Sequence, residues 1–263
     1  MKQFLLRNAP GPGGIVHLYN EDYHYLARVR RLGPGDEFRA VLPGGEERTV
    51  KVLSTADRIL IGECEGVFPD DGGGRGSPAL PLCLFQALPK GAKMDLIVRQ
   101  AAELGVWRVV PFESEYSIPK AQSLPASRRE RWERIAREAR QQSGARKGLE
   151  VSPPCAFDAM LAFWEGLRAG CERPVGVLLH QEPAAGAASF HEACKDQPDC
   201  AALAVGPEGG FSAREAARFA AAGWKPLVLG EAILRTETAA LYGLAVLKTI
   251  LSEENTWRFR KQE

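Results

Sequence analysis

The chain changes its hydrophobic period at one place, and that change restricts its fold more than any single motif does. Up to about Pro69 it reads as short runs cut by turns at Gly11-Pro-Gly-Gly14, Gly33-Pro-Gly-Asp36 and Pro43-Gly44-Gly45. Between the turns lie alternating or β-branched runs, Phe38–Leu42, Arg48–Leu53 and Arg58–Cys64, with a helical turn near Asp22–Arg28. Regular turn spacing of this kind predicts a small β-barrel. From Leu80 onward strands alternate with helices, the sequence form of a mainly parallel sheet covered on both faces. The intervening Asp70-Asp-Gly-Gly-Gly-Arg-Gly-Ser-Pro78 is too glycine-rich and charged to bury anything, and reads as a linker. The expected division is a β domain over 1–69, a linker over 70–79 and an α/β domain over 80–263, which suits a length of 263 residues.

Within the second domain, Leu82–Ala87 predicts a strand. Met94, Ile97, Val98, Ala101 and Leu104 recur at helical spacing, and Val106–Phe112 returns to strand, closing a βαβ unit. A helix over Ser127–Gln142 carries a thin apolar stripe of Trp132, Ile135, Ala136 and Ala139. Further strands are expected at Pro174–His180, Ala201–Gly206 and Lys225–Gly230, with a short helix between Pro183 and Asp199.

Formal net charge is only +1, so any preference for nucleic acid must be local. Between Arg128 and Lys147 there are eight basic residues against three acidic ones, and Arg28, Arg30 and Arg31 form a second basic knot. Two readings stand for the helix: a phosphate-contacting face, or a solvated one laced by pairs such as Glu130 with Arg134 and Glu133 with Arg137. No apolar run approaches the roughly 18 residues that span a bilayer. Met1–Asn8 lacks the pattern of a secretory signal, which leads to the expectation of a cytoplasmic protein. The six cysteines contain no Cys-x-x-Cys pair and lie far from the four histidines, so free buried thiols are expected and no metal site.

Two strand-to-helix loops carry the chemistry. Leu203-Ala-Val-Gly-Pro-Glu-Gly-Gly-Phe-Ser-Ala-Arg-Glu215 is a strand, a loop with three glycines, and a helix start in which Ser212 and Glu215 match a capping box. Leu227-Val-Leu-Gly-Glu-Ala-Ile-Leu-Arg-Thr-Glu-Thr-Ala-Ala240 repeats the plan, with a helix starting near Thr236 or Thr238. In open α/β sheets ligands settle where such loops leave the carboxyl ends of the strands, an edge that the turn at His180 shares. Dinucleotide and nucleoside-triphosphate fingerprints are both absent. Glycines that serve only as turns remain the alternative.

Gly206-Pro-Glu-Gly-Gly210, then Leu229-Gly230 and Ile233-Leu-Arg-Thr-Glu-Thr-Ala239, resemble the signature of the RsmE family, which methylates N3 of a uridine in 16S ribosomal RNA of the small subunit. Ala87-Leu-Pro-Lys-Gly91 with Met94 and Glu103-Leu-Gly105 resembles the family's first βα unit, and His24–Asp36 its amino-terminal segment. The resemblance implies a PUA-like β-barrel followed by a SPOUT-type α/β domain with a trefoil knot in its mainly parallel sheet. It also implies a homodimer and S-adenosyl-L-methionine as the cofactor, with neither metal nor membrane involved. The chain departs from the family at Ala232, where a basic residue is common, and at Gln142-Ser-Gly-Ala-Arg146, where the arginine is displaced by one position.

On that basis the cofactor is expected at His180, Gly206, Pro207, Glu208, Gly209, Gly210, Leu229, Gly230, Ile233, Leu234, Arg235, Thr236, Thr238 and Ala239. RNA contacts are expected from Arg28, Arg30, Arg31, Lys90, Arg128, Arg131, Arg134 and Arg146. Methyl transfer to N3 needs in-line alignment and loss of the N3 proton. Arg235 is the candidate to stabilise the deprotonated uracil, and Glu237 is a candidate base whose alternative is a helix-dipole carboxylate. Two other functions stay open: a non-catalytic ribosome-binding factor, and a related enzyme that methylates the ribose 2′-oxygen.

Overall fold

The structure, a computed structural model, describes residues 3–43, 45–67, 81–143, 145, 148–180, 189–230 and 232–252. It divides into two compact units, one of residues 1–76 with 141–146, the other of 77–140 with 147–263. The expected linker and Arg146 lie outside the described residues.

The first unit is a five-stranded sheet of β1 (Phe4–Leu5), β2 (Ile15–Leu18), β3 (Glu37–Val41), β4 (Glu47–Ser54) and β5 (Leu60–Val67), in the order β1-β3-β4-β5-β2. Only β1 on β3 is parallel. Alternation puts Phe38 and Ala40 of β3 and Val50 and Val52 of β4 into one core with Phe4, Val16 and Leu60. Gly62 of β5 is required by this packing: a Cβ there would come within 2.5 Å of the Val50 side chain. The expected helical turn is α1 (Asn20–Tyr23), which continues as a π-helical turn over His24–Val29, closed by Arg30 N–H to the Tyr25 carbonyl at 2.9 Å. The wider turn buries Leu26 and leaves Arg28, Arg30 and Arg31 exposed.

In the second unit the order along the chain is β6 (Leu82–Ala87), α2 (Lys93–Glu103), β7 (Arg108–Glu113), α3 (Ala126–Ser143), β8 (Glu150–Val151), β9 (Cys155–Ala156), α4 (Phe157–Arg168), β10 (Pro174–Leu179), α5 (Phe190–Cys194), β11 (Cys200–Val205), α6 (Ala213–Ala221), β12 (Trp224–Leu227) and α7 (Thr236–Ser252). All strand pairs are parallel, in the order β12-β10-β11-β6-β7-β8, with β9 also on β7. Both faces are covered, as the sequence predicts, and the period of two sorts each strand cleanly. Leu82 and Leu84, with Ala201, Leu203 and Val205, enter the core that includes residues of α2, α3 and α7. Cys83, Phe85 and Ala87, with Ala202 and Ala204, enter an aromatic core around Phe112, Trp164, Phe219 and Trp224. Pro226 is tolerated in β12 because that strand is at the sheet's edge.

Several expectations need correction. The strand expected at Lys225–Gly230 ends at Leu227, so Val228–Gly230 belong to the loop, and the one expected at Val106–Phe112 starts at Arg108. Helix α4 and strands β8 and β9 were not anticipated. Of the six free thiols only Cys83, Cys194 and Cys200 are buried; Cys64, Cys155 and Cys171 are half-buried. Burial pushes the Cys83 thiol up to about 12 and those of Cys155 and Cys194 up to about 11, so they remain protonated at neutral pH. Among the described residues the i,i+4 pair on α3 is Arg129 with Glu133, not the expected Glu130 with Arg134 or Glu133 with Arg137, and Arg131 reaches Asp95 of α2 at 2.8 Å.

Candidate functional site

Both glycine-bearing loops leave the carboxyl edge of the parallel sheet, after β11 and after β12, and His180 follows β10 between them. Gln181 and Glu182, next to it, lie outside the described residues. What joins the two loops is a buried polar cluster. Thr236, the first residue of α7, donates its hydroxyl to the Gly206 carbonyl at 2.6 Å and accepts from Gln86 Nε2 at 3.0 Å. Gln86 Nε2 also faces the carbonyls of Ala87, Val205 and Gly206 at 2.9, 3.4 and 3.5 Å. Gln86 and Thr236 are both buried, so these bonds fix where α7 begins relative to β6 and β11. The glutamine was missed by sequence reasoning, although an amide inside the apolar run Leu82–Ala87 was its visible signal.

The loop after β11 is held at every step. Its Gly210 N–H bonds the Pro207 carbonyl, and Ser212 with Glu215 forms the expected capping box at the start of α6. Glu215 also accepts the Glu115 N–H at 2.9 Å, tying in the loop after β7. Gly209 lies against Tyr116 of that loop, where a Cβ would meet the tyrosine Cβ at 3.1 Å. Glu208 accepts Lys90 N–H at 3.1 and 3.3 Å and Lys93 Nζ at 2.6 Å. Partial burial works to raise the Glu208 carboxyl, but Lys93 and the backbone N–H groups outweigh it and hold the carboxyl below its ordinary value.

The loop after β12 is different. Gly230 has φ +110°, with nothing within 4 Å of where a Cβ would be. Ile233 is 75% exposed, Ala232 and Arg235 are exposed, and Leu229 and Leu234 are half-buried against the core. Among the described residues the N–H groups of Leu229, Gly230, Ile233 and Leu234 make no backbone hydrogen bond, and Arg235 makes no ion pair. On α7, Thr238 is exposed and Ala239 is buried in the core, its N–H bonded to the Arg235 carbonyl. Glu237 is mostly buried; its Oε2 has no hydrogen-bond partner among the described residues and lies 4.0 Å from Lys93 Nζ.

Of the expected RNA-facing residues, Arg128, Arg131 and Arg134 share one wall of a cleft of about 580 Å³ that also includes Ala92 and Asp95 of the α2 start. Arg128 donates to the Gly91 carbonyl at 3.3 Å, so this face adjoins the exposed Lys90. Arg131 is held by Asp95, whose other oxygen accepts the Trp132 indole N–H. Arg28, Arg30 and Arg31 belong to the first unit. Among the described residues no group of three or more His, Cys, Asp or Glu side chains could hold a metal ion, and no helix is long and apolar enough to cross a membrane.

A family described as RNA methyltransferase domain matches residues 76–248, and one described as RNA methyltransferase PUA domain matches residues 18–64. The ribosomal RNA small subunit methyltransferase E of Bacillus subtilis is 28% identical over 233 residues, 86% of this chain and 87% of that protein. The protein of the same name from Aquifex aeolicus is 31% identical over 226 residues, 84% and 88% of the two chains. Among solved structures, a ribosomal RNA small subunit methyltransferase E from Neisseria gonorrhoeae, bound to S-adenosyl methionine, aligns with TM-score 0.77 and 26% identity over 95% of this chain and 98% of its own.

Proposed function

The chain belongs to the ribosomal RNA small subunit methyltransferase E family, and on that premise we propose that it transfers a methyl group from S-adenosyl-L-methionine to N3 of a uridine in 16S ribosomal RNA. The observation that carries this reading is the joining of the two glycine loops through Thr236, Gly206 and Gln86, beside the N–H groups of Leu229, Gly230, Ile233 and Leu234, which make no backbone hydrogen bond among the described residues.

The residues present suit the cofactor. Backbone groups of Leu229, Gly230 and Leu234 are free to read an adenine edge, and Ile233 with Leu229 and Leu234 offers apolar surface to its faces. Gly206, Pro207, Glu208, Gly209 and Gly210 line the opposite side, with His180, Thr236, Thr238 and Ala239 completing the set. When bound, the cofactor supplies an electrophilic methyl on a positively charged sulfur. Arg235, exposed and without an ion-pair partner among the described residues, holds the uracil carbonyl oxygens as negative charge develops. Glu237 Oε2 has no hydrogen-bond donor among the described residues and is the acceptor for the N3 proton.

We assign residues 1–69 to RNA binding as a PUA-like domain, 70–79 to a linker and 80–263 to a knotted SPOUT methyltransferase domain that works as a cytoplasmic homodimer. RNA phosphates meet Arg28, Arg30, Arg31, Lys90, Arg128, Arg131, Arg134 and Arg146. Mass spectrometry of nucleosides from small-subunit RNA incubated with the protein and labelled cofactor tests the reading. Labelled N3-methyluridine is expected; a labelled 2′-O-methyl nucleoside would overturn the N3 assignment, and no cofactor binding by calorimetry would overturn the enzyme.

A further inference from the structure

Lys93 occupies a position that helix physics disfavours. It is the first residue of α2, where the positive end of the helix dipole repels a cation, and no side chain caps that end. Its ammonium donates to Glu208 Oε1 at 2.6 Å and lies 4.0 Å from Glu237 Oε2. One carboxylate belongs to the loop after β11 and the other to the first turn of α7, so a single cation joins the two halves of the site. Glu208 is further anchored by Lys90 N–H, which gives Lys93 a fixed partner to stand on. Glu237 has no such anchor: its Oε2 is buried without a hydrogen-bond partner among the described residues, and an uncompensated buried carboxylate is costly. Both oxygens lie within 4.0 Å of one nitrogen, so removing that charge takes the shared cation from two carboxylates at once.

We propose that Lys93 is a positioning residue of this site, using the anchored Glu208 to hold the Glu237 carboxylate in place for the incoming uridine. The assignment rests on the methyl-transfer reading above. Lys93 touches no reacting atom; it acts through Glu237, and Glu208 acts through Lys93. Such a chain of dependence has a signature in double mutants, because residues that work as one unit lose their effect together.

The test compares Lys93→Met, which keeps the aliphatic stem, Lys93→Arg, Glu208→Gln and the double variant Lys93→Met/Glu208→Gln in the full chain. Methyl transfer from labelled cofactor to small-subunit RNA is measured alongside calorimetric titration with S-adenosylmethionine. Lys93→Met should lower kcat by about tenfold or more while cofactor Kd changes less than about threefold, Lys93→Arg should recover most of the rate, and the double variant should be no slower than the slower single one. Undiminished kcat in Lys93→Met, multiplicative losses in the double variant, or equal losses in kcat and cofactor affinity would each overturn the proposal. If the wild-type protein transfers no methyl group, the functional reading fails separately. The clamp is then read from thermal midpoints of the four proteins without cofactor: non-additive shifts keep it, additive shifts overturn it.

Discussion

The loops that leave β11 and β12, on either side of β10, are built from similar residues and held in opposite ways. Gly206–Gly210 is fixed from three directions, by Glu208 to the segment before α2, by Tyr116 against Gly209 and by the capping box into α6. Among the described residues, the N–H groups between Leu229 and Arg235 make no backbone hydrogen bond, and Ile233 and Arg235 are exposed. Glycine therefore does different work in the two. At Gly209 it lets a neighbouring side chain approach, whereas at Gly230 it permits a backbone angle closed to most residues. The proposed site therefore has one wall fixed by hydrogen bonds and another whose N–H groups, at Leu229, Gly230, Ile233 and Leu234, make no backbone hydrogen bond among the described residues.

The sharpest way to break that contrast is at the joint. Thr236→Val keeps the shape but removes the short hydroxyl bond to Gly206 and one acceptor of Gln86, whose Nε2 keeps the Ala87 carbonyl; we expect a loss of about 2 kcal/mol in denaturant unfolding. A loss below about 0.5 kcal/mol would show that the loops do not depend on each other. Comparable in size is Arg235→Ala on the second wall, expected to lower methyl transfer about a hundredfold while cofactor affinity stays within about threefold. Equal losses would move Arg235 into the cofactor pocket. Gly230→Ala strains a backbone at φ +110° in open space, and about 1 kcal/mol of stability should be lost with a larger proportional loss of cofactor binding. Binding unchanged in that variant would remove Leu229–Leu234 from the site.

The smallest effect concerns pH. The Glu208 carboxyl is held below its ordinary value of 4.5, so its contribution to stability is complete above that value and is lost as pH falls through the folded-state value. Wild-type thermal midpoints should therefore drop more steeply in acid than those of Glu208→Gln. Identical acid limbs would mean that the Lys90 and Lys93 contacts do not persist in solution.

Much of the second unit was legible because parallel sheets buried on both faces leave long apolar runs, and β6, β10 and β11 fall within one residue of expectation. Helix α4 escaped because Phe157–Arg168 exposes only part of its apolar surface and lacks a capping side chain. The arginines of α3 were readable as a group, yet their partners were not: Arg131 chooses Asp95, 36 residues away, over any neighbour on its own helix. Lys93 carried one weak signal, a cation at the start of a helix, and nothing local named the carboxylates that hold it there.

By itself the sequence determined what depends on near neighbours: the period of each element, the two strand-loop-helix turns, and the Ser212 and Glu215 cap, whose groups are three residues apart. Those features arise from backbone geometry and hydrogen bonds within a single turn, which local composition encodes. Only the tertiary structure decided that Gln86 meets Thr236 across 150 positions, that Lys93 meets Glu208 across 115, and that one loop is pinned while the other stands open. The strand order β12-β10-β11-β6 is not the chain order, so the edges it brings together belong to segments with no local means of specifying one another.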